Sequence, residues 1–264
     1  MTSGGVRAPV AAGSFYPDDP ATLRASVDGL LAGVERPAGP TPEPKAPMAL
    51  IVPHAGYRYS GPVAATAYAL VRVARRAVVL GPSHFVPLGG CAVPAGDAWA
   101  TPLGEVPIDP DLRDAAAAAG ARVDDVPHLG EHAIEVQLPF LQRVMPEGFS
   151  VLPVGVGVGA ASDVADLIEI LSDPPDLLVV VSTDLSHHHD AETARQLDRR
   201  TADAVVARDP TAIGPFDACG VFPLRGIVEH ARRRDLPIQL LDLRNSADTG
   251  GDPSNVVGYG AFRL

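Results

Sequence analysis

Cysteine is nearly absent: Cys91 and Cys219 are the two in 264 residues. That excludes a disulfide framework and fits a reducing cytoplasm. Aromatic side chains make up 5% of the chain, with one tryptophan. Cations are outnumbered, 21 Lys and Arg against 32 Asp and Glu, for a formal charge of -11. Phosphate backbones and anionic membranes need clustered cations, so neither is the expected partner. The one dense basic run, Arg232 to Arg234, closes an amphipathic segment, where it complements the negative end of a helix. No apolar run is long enough to cross a bilayer. The first residues, MTSGGVRAPVAAGSFYP, have too short an apolar stretch for a secretory signal. No Walker loop, HExxH, GxSxG elbow or dinucleotide GxGxxG is found; GVGVG at Gly155 to Gly159 follows a strand without the dinucleotide spacing.

What is present is a core. Hydrophobic residues make up 46% of the chain. Uninterrupted apolar runs at Met48 to Val52, Ala77 to Leu80, Ser150 to Val156 and Leu177 to Ser182 read as buried strands. Between and after them fall helical patterns. One runs from Pro20 to Ala32, capped by Asp19 and stopped at Gly33. Others are expected from Ser60 to about Ala74, from Asp109 to Gly120, and from Glu131 to Val144 with Pro139 interrupting. Three more are expected at Asp163 to Leu171, Ala191 to Arg208 and Val221 to Arg234. Shorter strands are expected at Cys91 to Pro94, Glu105 to Ile108, Ile238 to Leu243 and Val256 to Phe262. The alternation predicts a single α/β domain over 1–264, its mostly parallel or mixed sheet covered by helices on both faces. A proline-rich surface linker is expected at about 34–47.

Three strands end in a turn carrying histidine: His54 in MALIVPHAGY, His84 in AVVLGPSHF and His187 in LLVVVSTDLSH. Strand ends of one polarity share one edge of a parallel sheet, and ligands bind outside that edge. Imidazole combines metal ligation with proton transfer near neutral pH. Asp184 could orient an imidazole as an outer carboxylate partner, and His187 could ligate or act as acid or base. His188 and His189 read as exposed. Cys219 in DACGVFP precedes a helix, whose positive end should lower the thiol pKa; Cys91 reads as a small buried residue. Glu131 and Glu135, one helical turn apart in GEHAIEVQLPF, either share a function or simply complement a helix dipole. His132 between them has no assigned role.

Taken in order, GSFYP, PHAGYRYSG, LGPSHFVPL, TPLGEVPID, EHAIEVQLPFL, STDLSH, ACGVFP and the terminal YGA resemble the Memo family over nearly the full length. The prokaryotic branch of that family is called AmmeMemoRadiSam system protein B. The resemblance implies a fold like that of the LigB-type class III extradiol dioxygenases. It implies one copper or iron held by His54, His84 and Cys219, with Asp184, His187 and Cys219 carrying chemistry, and association with radical-SAM and AMMECR-type proteins. Phe85, Gln137 and Ser186 depart from relatives that carry histidine, histidine and cysteine there. The dioxygenases use two histidines and a carboxylate, so Cys219 replaces an oxygen donor by an oxidisable sulfur, and extradiol cleavage does not follow from the fold. Three functions compete: a metal-dependent oxidoreductase acting on a small molecule, a partner- or peptide-binding module on an enzyme fold, and a metal-free thiol enzyme with His187 as the base.

Overall fold

The computed structural model describes residues 5–34, 48–72, 74–172 and 176–264. Nearly all of the expected proline-rich linker therefore lies outside the described residues. In chain order the elements begin with β1 (Val6–Arg7), α1 (Pro20–Ala32), β2 (Ala49–Val52), α2 (Tyr57–Tyr68), β3 (Arg76–Pro82) and β4 (Cys91–Val93). Next come β5 (Ala98–Thr101), β6 (Gly104–Pro107), α3 (Pro110–Ala118), β7 (Arg122–Val123), α4 (Leu138–Val144) and β8 (Ser150–Val156). The last are α5 (Ala161–Leu171), β9 (Leu177–Ser182), β10 (His187–His189), α6 (Ala191–Val206), α7 (Val221–Arg233), β11 (Gln239–Asn245) and β12 (Val256–Arg263).

The four apolar runs form a parallel centre in the order β2-β9-β3-β8. Their residues are buried almost throughout, as strands covered on both faces must be. The sheet is mixed at its margins. β12 runs antiparallel to β2 and pairs with β10 and β11, while β4 runs antiparallel to β8 and carries β7. A separate small sheet joins β1, β5 and β6. The connection from β2 through α2 to β3 steps across β9, and that from β8 through α5 to β9 steps back across β3. Right-handed crossovers in opposite directions place their helices on opposite faces. Accordingly α1, α2 and α4 pack together as one layer, and α3, α5 and α7 as another.

Helix starts follow the capping chemistry. Asp19, Asp109 and Asp190 each accept a backbone N–H in the first turn of the following helix. Two expected helices change. α2 begins earlier, at Tyr57, and ends at Tyr68, with Pro62 inside it. The segment expected to be helical from Glu131 is irregular until a 3-10 turn at Glu135–Gln137, and α4 starts at Leu138 with Pro139 in its first turn. Proline starts that helix and does not interrupt it, because a first-turn N–H has no partner to lose.

Candidate metal centre

The central register sets the site. Val52 pairs with Ser182, so His54 and Asp184 each stand two residues past the ends of adjacent strands. His84 stands two residues past the end of β3, on the other side of β9. Two glycines let further segments close in. A Cβ on Gly81 would meet Ile134 at 2.7 Å, so glycine there lets the 131–134 segment pack on the end of β3. A Cβ on Gly220 would lie 2.8 Å from the Thr183 hydroxyl, which accepts the Gly220 N–H; this seats the start of α7, and Cys219 with it, against the end of β9.

Donor atoms of His54, His84 and His132 lie within 4.8 Å of one another, a group that could hold a metal ion. The His84 and His132 rings stack with centroids 5.0 Å apart, and His54 meets both edge-on. Two of the rings are hydrogen-bonded through Nδ1. His84 Nδ1 donates to Glu131 at 2.9 Å, and His132 Nδ1 lies 3.5 Å from the same carboxylate. His54 Nδ1 meets the Ser182 hydroxyl at 3.0 Å. Burial, then the neighbouring His84 charge, lowers His54 to about 3; burial, then His54, lowers His132 to about 4. Both are therefore neutral at pH 7, the form that ligates. Burial alone would raise Glu131, but hydrogen bonds from the His84 ring, the Ala133 N–H and the His84 N–H outweigh it and hold the carboxyl at about 2.

Cys219 adjoins His54, its Sγ 3.3 Å from Nε2, and stands outside the three-histidine cluster. The expected lowering of its pKa is reversed. The Asp184 N–H donates to the sulfur, but burial, followed by the Asp184 charge, pushes the thiol up to about 12. Desolvation exceeds the benefit of a helix N-terminus that the thiol precedes without entering. Asp184 does not hold the His187 ring. Its carboxylate accepts the His54 backbone N–H at 2.7 Å, and burial raises its pKa. The Leu185 carbonyl takes the proton of His187 Nδ1 at 2.8 Å instead. His188 and His189 are exposed.

Glu131 and Glu135 part company because the segment between them is not helical. Glu135 is fully buried and clamps the N-terminal segment, accepting from the Val10 and Ala11 N–H groups, the Tyr16 hydroxyl and Arg7. Arg7 also donates to the His128 and Glu131 carbonyls and lies over Trp99. The clamped segment carries Phe15, whose ring centroid is 4.4 Å from that of His132, and the exposed Phe85 ring lies 5.9 Å from it. His132 is the residue that sequence reasoning left without a role. The available signal was its place directly after Glu131, whose partner His84 was already a candidate ligand.

Fold and site together define a mixed-sheet α/β protein with a cluster of three histidines that could hold a metal, at the carboxyl edge of its parallel strands. A family model described as "Memo-like protein" matches residues 7–263. A MEMO1 family protein of Aquifex aeolicus is 38% identical over 267 residues, covering 96% of this chain and 97% of its own. One from Methanopyrus kandleri is 33% identical, covering 97% and 98%, and one from Desulfurococcus amylolyticus 31%, covering 98% of each. The chain belongs to the Memo family. Among the described residues, no helix is long and apolar enough to cross a membrane.

Proposed function

We propose that the chain is a redox-active metal protein that holds one copper or iron between His54, His84 and His132, with Cys219 as the sulfur donor. The carrying observation is the convergence of three imidazoles beside a thiol. An imidazole nitrogen at about 2.0–2.1 Å and a thiolate at about 2.3 Å from one ion stand about 3.1–3.6 Å apart for angles of about 90–110° at the ion. The 3.3 Å between His54 Nε2 and Cys219 Sγ falls in that window. A mixed imidazole and thiolate set suits copper(I), iron or zinc. A bound copper or iron supplies one-electron chemistry and Lewis acidity toward a small molecule or a peptide group.

The chain's own residues do the rest. Glu131 fixes the His84 ring, and Asp184 fixes the backbone from which His54 projects. His187 keeps Nε2 free to take or give a proton, since its Nδ1 proton is committed to a carbonyl. Phe15 and Phe85 present apolar surface next to His132. The thiol-enzyme alternative is disfavoured by a Cys219 that holds its proton tightly.

The test is competitive titration of purified protein with copper(I) and iron(II). Tight one-to-one binding is expected, weakened at least about tenfold in His54→Ala, His132→Ala and Cys219→Ser. Wild-type affinity in His54→Ala and His132→Ala would overturn the assignment.

A further inference from the structure

Behind His54 lies a chain of buried polar groups whose hydrogen-bond directions admit one solution. Tyr68, Gln137 and Ser182 are fully buried and His54 nearly so. Gln137 Nε2 is 2.9 Å from the Pro53 carbonyl and 2.8 Å from the Ser182 hydroxyl, while Gln137 Oε1 is 3.0 Å from the Tyr68 hydroxyl. A carbonyl accepts only, so the Gln137 amide group must face Pro53, and its second N–H is given to Ser182. The Ser182 hydroxyl is also 2.7 Å from the Ala133 carbonyl, which again only accepts. That contact uses the single proton of Ser182. Toward His54 Nδ1, at 3.0 Å, the hydroxyl has only a lone pair left.

We propose that Gln137 and Ser182 are positioning residues that lock His54 with its proton on Nδ1, leaving Nε2 bare toward Cys219 and the histidine cluster. The other tautomer would need the Ser182 proton turned to His54. The buried Ala133 carbonyl would then lose its partner, and an N–H would point at Cys219 and the histidine cluster, where a lone pair is required for ligation. The lock spans three segments, since Ser182 ends β9, Gln137 precedes α4 and Ala133 follows His132. The hydroxyl that fixes His54 thus also ties down the segment carrying the third imidazole.

This inference uses the proposed metal site for its consequence but not for its geometry, so its test has two independent readouts. The first is long-range proton–nitrogen NMR correlation of the His54 ring in the metal-free protein. Wild type is expected to show the Nδ1–H form, and Ser182→Ala a mixture or the other form, with Ser182→Thr restoring the wild-type pattern. Gln137→Met, which keeps length and removes both donors, is a second variant; without the Gln137 N–H to hold its orientation, the Ser182 hydroxyl can rotate its proton toward His54, and the same signals should broaden or shift. The second readout is zinc(II) affinity, expected to fall about 10- to 100-fold in Ser182→Ala and to recover in Ser182→Thr. A His54 ring with its proton on Nε2 in the wild type overturns the proposal. So does an unchanged tautomer in both Ser182→Ala and Gln137→Met. If wild type binds no metal but His54 is locked as described, the lock stands and the metal assignment fails.

Discussion

Replacing Cys219 with serine isolates what the thiol contributes to ion capture. In the metal-free protein the thiol lies near 12, so it carries its proton throughout pH 7–9. His54 and His132, at about 3 and about 4, have shed theirs well below that window. An ion bound through Sγ must expel the thiol proton, so affinity rises with pH, while these two imidazoles add no slope there. One proton per ion gives a tenfold gain per pH unit, about 1.4 kcal/mol, and roughly a hundredfold from pH 7 to 9. Serine has no acid in that range, so the Cys219→Ser profile is expected to be flat. The assay is competition with a calibrated chelator at pH 7, 8 and 9, using cobalt(II), whose near-ultraviolet charge-transfer band reports sulfur ligation. Calorimetry in two buffers counts the released proton independently. A wild-type slope near zero, or a slope near one that survives in Cys219→Ser, refutes the assignment of sulfur as a ligand.

Acid should destabilise the fold steeply. His54, His132 and the buried His128 all bind protons less readily when folded than their ordinary value of 6.5, so their contribution is complete above that pH and is lost below it. Each adds up to about 1.4 kcal/mol per pH unit, measurable as urea midpoints from pH 7 to 4. Among the described residues, neither ring nitrogen of His128 has a hydrogen-bond partner; His128→Leu is expected to flatten that profile by about a third and to stabilise the fold by about 1 kcal/mol at pH 5. Glu135→Ala leaves Arg7 without its buried carboxylate and should cost about 3–5 kcal/mol by chemical denaturation. Gly226→Ala drives a methyl to within 2.2 Å of Val164 where α7 crosses α5, and a loss of about 1–3 kcal/mol is expected in the same assay.

The parallel centre was readable because its strands are apolar on both faces, and a run such as LLVVVS has no other stable home. The strand-end positions of His54, His84 and Asp184 followed from the same pattern. The small sheet was harder to find. β1 has two residues, and β5 was not expected at all, because AWAT carries no alternation. The stretch around His132 was misread because Glu131 and Glu135 have helical spacing. Tertiary demands from His84 and from the N-terminal segment pull those two carboxylates in different directions and unwind the turn between them. The Cys219 pKa was misjudged for a related reason. Helix position is visible in a sequence, but the depth of burial is set by Gly220 and Thr183, which meet only in three dimensions. The Ser182 and Gln137 relay was not anticipated, since a serine closing a strand carries no signal of what it touches.

The contacts that build the site join residues far apart along the chain. Cys219 reaches His54 across 165 positions, and Arg7 reaches Glu135 across 128. No short segment of the polypeptide contains the site, which comes into being only when residues from Arg7 to Cys219 have been folded together. Whatever occupies it therefore reports on the integrity of the entire molecule. At a hundred times its dissociation constant, such an occupant adds about 2.7 kcal/mol to global stability.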